Sequence, residues 1–120
     1  MSKKTLVIGA SLNPSRYSYF AIQKLKEQGH DVVALGKRKG EIAGVQIETE
    51  PLHYNDLHTV TLYVNADNQK SLYDYILSLK PKRVIFNPGT ENAEFYKILN
   101  ENGISFETAC TLVLLSTNQY

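Results

Sequence analysis

The chain has 120 residues, enough for one compact domain over residues 1–120 and too few for two. Hydrophobic residues make up 42% and charged ones 21%, which excludes a disordered chain, and a formal net charge of +1 excludes a surface basic throughout, so no nucleic-acid partner is expected and any anion site is local. One cysteine excludes an internal disulfide and fits a reducing compartment, and no segment approaches the roughly 20 apolar residues of a membrane helix or reads as a signal peptide, so a cytoplasmic protein with no membrane partner is expected.

Thr5-Leu6-Val7-Ile8 is short, apolar and β-branched, and reads as a buried strand. Gly9 follows at once. A helical pattern then opens between residues 17 and 19 and runs to Gln28, with Tyr19, Phe20, Ile22 and Leu25 at helical spacing and Gly29 as its left-handed cap. Asp31-Val32-Val33-Ala34-Leu35 is a second strand, ending in Gly36-Lys37-Arg38-Lys39-Gly40. From residue 41 to 56 the pattern is weak: Gly44-Val45-Gln46-Ile47 reads as a short edge segment and Tyr54-Asn55-Asp56-Leu57 as a turn or short helix.

Residues 59–64 form the third strand. Asp67 or Asn68 is expected to cap a helix with Leu72, Tyr75, Ile76 and Leu79 on one face, which stops before Pro81. Residues 83–86 are the fourth strand, followed by Asn87-Pro88-Gly89-Thr90 and a helix from about Asn92 to Asn102 with Phe95, Ile98 and Leu99 as its core stripe. Residues 104–107 are the last strand, and residues 109–115 a turn of helix or a strand extension. Strands alternating with helices predict an α/β class: a three-layer Rossmann-like fold with a five-stranded, mostly parallel sheet. The third and fourth strands are expected on opposite sides of the switch point, with the ligand at the carboxyl ends of the strands.

Strand, glycine turn and helix together present a helix N-terminus to a phosphate. Gly9 lets the backbone approach an anion, Ser11 and Asn13 supply short polar groups, and Arg16 supplies a guanidinium fork. Of the three glycines of the dinucleotide fingerprint only Gly9 is present; Ser11 and Pro14 hold the other positions. An NAD site wants a carboxylate after the second strand. Here Lys37, Arg38 and Lys39 stand there, which favours a small-molecule nucleotide with a phosphate on its ribose, coenzyme A or NADP.

The run Gly9-Ala10-Ser11-Leu12-Asn13-Pro14-Ser15-Arg16 resembles the GAS-x-x-P-S-R stretch of the small CoA-binding-domain proteins, which are similar to the N-terminal CoA-binding domain of the succinyl-CoA synthetase α subunit. The resemblance covers most of the chain: Gly29, a basic residue after strand two, Tyr63-Val64-Asn65, and Pro88-Gly89-Thr90. It implies a Rossmann-like coenzyme A site in which Gly9, Ala10, Ser11, Asn13 and Arg16 meet the pyrophosphate and Lys37 meets phosphate. By the same resemblance Val64 and Asn65 line the adenine side, and Pro88 and Gly89 complete the set, Gly89 letting the chain approach the pantetheine arm. The chain departs from the family at Gly36, where a proline is common, at Asn65-Ala66, and at Thr108-Ala109-Cys110, where Cys110 matches and the usual arginine before it does not.

Catalytic groups are not expected. Cys110 has no cation or base beside it in sequence and reads as a buried small hydrophobe. His53 and His58 stand in an irregular segment with no cluster to complete a metal set. Tyr19, Tyr63, Tyr73, Tyr75 and Tyr96 fall near core stripes, whereas Tyr17 stands close enough to the first loop to touch a ligand. The resemblance leaves out the domain that supplies the synthetase's catalytic histidine. The expected function is a stand-alone coenzyme A (acyl-CoA) binding domain without its own catalytic centre. The alternatives are an NADP-binding reductase-like domain and a ligand-free interaction module, and each leaves room for a protein partner or homo-oligomer.

Overall fold

A buried apolar strand flanked by helices on both faces needs neighbours on both edges, and Thr5–Ala10 (β1) has them. The computed structural model describes residues 2–120. Its sheet adds β2 (Val32–Gly36), β3 (Gly40–Ile42), β4 (Val45–Glu48), β5 (Thr59–Leu62), β6 (Arg83–Phe86) and β7 (Ser105–Thr108) in the spatial order β3-β4-β2-β1-β5-β6-β7. Every pairing is parallel except the β3–β4 hairpin.

Side chains alternate across β1. Leu6 and Ile8 join a core with Ile76 and Leu79 of α3 (Tyr73–Leu79) and with Phe95 and Leu99 of α4 (Ala93–Glu101). Val7 and Ala10 join a second core, on the other face, with Ile22 and Leu25 of α1 (Tyr17–Glu27) and Leu115 of α5 (Thr111–Ser116). The pairing of β1 with β2 slips between Ile8 and Ala10, where Gly9 takes φ +94°. That bulge turns Ala10 to the face of Val7, the side that carries α1, while Ala10 still pairs with Gly36.

The expected five strands are seven. The weak stretch around residues 41–48 holds a hairpin, and β4 lies inside the sheet, parallel to β2, with β3 on the edge. In the hairpin Ile42, Val45 and Ile47 are buried while Glu41 and Gln46 are exposed and hydrogen-bonded at 2.8 Å. The two-residue turn Ala43-Gly44 has φ of 51° and 84°, the left-handed pair that tight hairpins favour. Nothing lies within 4 Å of a Cβ placed on Gly44. Gly44→Ala should therefore cost only the backbone strain it introduces, about 1–2 kcal/mol, visible as a lower urea midpoint.

The strands expected on opposite sides of the switch point, β5 and β6, are neighbours on the same side. The reversal falls at β1, between β2 and β5. The predicted helix after β5 is broken into α2 (Ala66–Gln69), a turn of 3-10 helix (Lys70–Leu72) and α3. Its cap is Asn65, whose Oδ1 accepts from Asn68 N at 2.9 Å, and not Asp67 or Asn68. Tyr54-Asn55-Asp56-Leu57 is a bend rather than a helix, and residues 111–116 settle as α5.

Candidate functional site

Beyond β1 the chain turns to α1 on one face; beyond β5 it turns to the face that carries α3. Loops that part in opposite directions leave a crevice at the carboxyl ends of the strands. A cleft of about 980 Å³ lies there. Gly9, Ala10, Ser11, Asn13, Arg16, Lys37, Val64, Asn65, Pro88 and Gly89 all line it, and Tyr17 stands at its lip, 72% exposed. Arg38 lines the cleft with Lys37; Lys39 does not.

The first loop is held by its own short side chains. Asn13 Oδ1 accepts from Ser15 N at 3.0 Å and from Ser15 Oγ at 2.8 Å, while Ser11 Oγ accepts from Asn13 N at 3.1 Å. These bonds spend acceptors and leave the Asn13 amide donors and the Ser11 hydroxyl hydrogen free to serve an anion. Leu12 lies over Gly40, where an added Cβ would come within 2.6 Å of its methyls, and so ties this loop to β3. The helix that follows is uncapped: Arg16, at its N-cap, makes no side-chain capping bond, and the first turn holds no acid. By contrast Asn65 and Asn92 cap α2 and α4. The positive end of α1 is thus left open toward the cleft.

Electrostatics follow from the lining. Its charged side chains are Arg16, Lys37 and Arg38, with no carboxylate, histidine or cysteine among the described lining residues. Glu91, on the loop after β6, accepts from Gly89 N at 2.8 Å and stays outside the cleft wall. Gly89 has φ +92°, a conformation that suits glycine. Tyr63 contributes to the wall, but its hydroxyl is buried, and burial pushes its pKa far up, so it stays protonated.

Sequence reasoning missed the wall made by Thr49, Pro51, Asn68, Ser71 and Leu72. Thr49 and Pro51 follow β4, so their place was readable only after β4 had been set parallel beside β2. Cys110 is half-buried at the N-cap of α5 rather than buried, and lies outside the cleft. No group of three metal-ligating side chains occurs among the described residues, and no helix among them is long and apolar enough to cross a membrane.

His30 and His58 also lie outside the cleft, and both have pKa values below 6.5, first through desolvation and then through nearby cations, Lys3 for His30 and Arg83 for His58. His30 Nδ1 accepts from Lys3 N at 2.9 Å, which requires an unprotonated nitrogen. A base whose pKa falls on folding gives stability that is complete above the unfolded value and lost as pH drops through the folded one. Thermal midpoints should therefore fall as pH is lowered below about 6.5, and the fall should be shallower in the His30→Gln, His58→Gln protein. Parallel melting profiles for the two proteins would refute this.

The sequence profile of the CoA binding domain family matches residues 3–116. No curated protein matches the chain. Among solved structures, an uncharacterized protein is 52% identical, with a TM-score of 0.96, over 100% of this chain and 99% of its own. A Thermus thermophilus protein is 24% identical with a TM-score of 0.81, covering 99% of this chain and 91% of its own. A hypothetical protein from Pyrococcus horikoshii OT3 is also 24% identical, with a TM-score of 0.87 over 97% of this chain and 83% of that one. The likeness to these last two concerns the fold.

Proposed function

The chain belongs to the CoA binding domain family, and from that premise we propose that it is a stand-alone domain that holds coenzyme A or an acyl-CoA in the cleft. The observation that carries this reading is the lining: three cations and no carboxylate beside an uncapped helix N-terminus. Coenzyme A brings a pyrophosphate and a 3′-phosphate. The pyrophosphate fits over the first turn of α1, within reach of Arg16, and the 3′-phosphate fits beside Lys37 and Arg38 at the end of β2. Val64, Pro51 and Leu72 offer an apolar slot for adenine. A parallel sheet whose strand order reverses at β1 supports the Rossmann-like description.

The lining suits binding: its amides, hydroxyls and cations can hold and orient an anion. NADP is the second reading, since its 2′-phosphate would also suit Lys37 and Arg38.

Ligand binding to the folded state alone raises stability by about 2.7 kcal/mol at a hundredfold excess over Kd. Coenzyme A should raise the melting temperature accordingly, and NAD, which lacks a ribose phosphate, should not. Equal shifts with both would remove the basic end of β2 from recognition. A shift with NADP alone would replace coenzyme A by the second reading.

A further inference from the structure

Gln69, the last residue of α2, is fully buried, an unusual place for a glutamine. Its amide is satisfied there. Nε2 donates to the Val64 carbonyl at 3.0 Å and to the Thr90 carbonyl at 2.7 Å, and Oε1 accepts from Asn92 Nδ2 at 2.9 Å. Asn92 is itself locked: its Oδ1 accepts from Phe95 N at 3.1 Å, its Nδ2 also donates to the Tyr73 hydroxyl at 2.8 Å, and that hydroxyl donates to Glu94 Oε1 at 3.0 Å. The amide is therefore fixed in one orientation.

Val64 and Thr90 both line the cleft, but they belong to different loops, one beyond β5 and one beyond β6. An apolar side chain of equal length would fill the space occupied by Gln69. It could not hold two carbonyls at a set separation. Thr90 is braced from below as well, its N–H and hydroxyl donating to the Asn87 carbonyl at 3.0 and 2.8 Å, so the loop beyond β6 moves as a unit. The base of this loop is tied to β5 at Asn87, whose Nδ2 donates to Thr61 Oγ1 at 2.6 Å and to the Leu62 carbonyl at 2.9 Å, and its outer part, at Thr90, is tied to the β5 side through Gln69.

We propose that Gln69, locked by Asn92, is a positioning residue: it sets the spacing between the Val64 edge and the loop at Gly89, and thereby the affinity for the ligand portion that spans them. This rests on the coenzyme A reading, in which adenine lies beside Val64 and the pantetheine arm passes Gly89. A fragment that ends before Gly89, adenosine 3′,5′-bisphosphate, does not span the two.

The experiment titrates coenzyme A and adenosine 3′,5′-bisphosphate into wild type and Gln69→Met and follows amide hydrogen exchange in both proteins without ligand. Coenzyme A should weaken about tenfold, the worth of a hydrogen bond or two, and the fragment less than about twofold. Exchange should quicken at residues 89–92 while β1 and β5 stay protected. Equal weakening of both ligands, or unchanged exchange at residues 89–92, overturns the proposal. If wild type binds neither ligand, the coenzyme A reading falls, and exchange alone decides the clamp: selective quickening at residues 89–92 upholds it, and any other pattern overturns it. If Gln69→Met does not fold, Asn92→Asp replaces it, because a carboxylate keeps the α4 cap but forces the Gln69 amide to turn and release one carbonyl. The same outcomes then apply.

Discussion

Gly9→Ala should destabilise the protein by about 2–5 kcal/mol, and Gly9→Val by more. A Cβ on Gly9 would lie 2.9 Å from both the carbonyl carbon and the oxygen of Tyr63 and 3.0 Å from Val64 Cγ1. The first two are backbone atoms of the strand-end segment hydrogen-bonded to β1, since Tyr63 N donates to the Ile8 carbonyl at 2.8 Å. They cannot step aside without breaking that pairing. To the overpacking, about 1–3 kcal/mol, is added the strain of φ +94°, about 1–2 kcal/mol. A β-branched side chain fits such a φ worst. Urea unfolding with an unchanged slope and a lower midpoint is the expected record; a wild-type midpoint for Gly9→Ala would show that the ends of β1 and β5 have room to part. Ligand approach, the role a sequence reader gives to this glycine, comes second to strand packing. Loss of binding in a Gly9 variant would therefore report on the fold before it reported on the ligand.

Ten residues named from sequence converge on one cleft: local chemistry marked Gly9, Ser11, Asn13, Arg16 and Lys37, and the family resemblance alone supplied Ala10, Val64, Asn65, Pro88 and Gly89. A β-branched run stopped by glycine, an amphipathic helix after it, and cations after the second strand each carry a signal over a few residues. The hairpin was harder. Its strands of three and four residues are too short for alternation to stand out, and Gly44, which completes the tight turn, reads in sequence as the start of an edge segment. The broken helix 66–79 was hidden for a different reason. Its apolar spacing is continuous in sequence, but Gln69 must turn inward to reach Val64 and Thr90, and the chain tightens into a 3-10 turn immediately afterwards. A buried glutamine bonded to carbonyls 5 and 21 residues away leaves no trace in any window of sequence. Likewise Thr49 and Pro51 reach the cleft only through the parallel pairing of β4 with β2, a long-range fact.

Replacing Arg16 and Lys37 together with alanine should weaken coenzyme A binding by at least about a hundredfold. A charge-assisted hydrogen bond to phosphate contributes roughly 1.5–3 kcal/mol, and each 1.4 kcal/mol is tenfold in affinity. The two cations enter the cleft from different elements, Arg16 at the N-cap of α1 and Lys37 just beyond β2, and so face different parts of the ligand. Their effects should then nearly add. They should also separate by ligand. Dephospho-CoA keeps the pyrophosphate and lacks the 3′-phosphate, so Arg16→Ala should weaken both ligands equally, while Lys37→Ala should weaken coenzyme A about tenfold and dephospho-CoA hardly at all. Arg38 remains at the end of β2 in the Lys37 variant and supplies a partial substitute, which sets that loss at the low end of the range. Added salt should narrow the preference for coenzyme A, because the contact at Lys37 is partly exposed and screened. Isothermal titration of both ligands against the two single variants and the double variant reads all of this. Equal losses for the two ligands in Lys37→Ala would make Lys37 a general cation of the cleft and not a reader of the ribose phosphate.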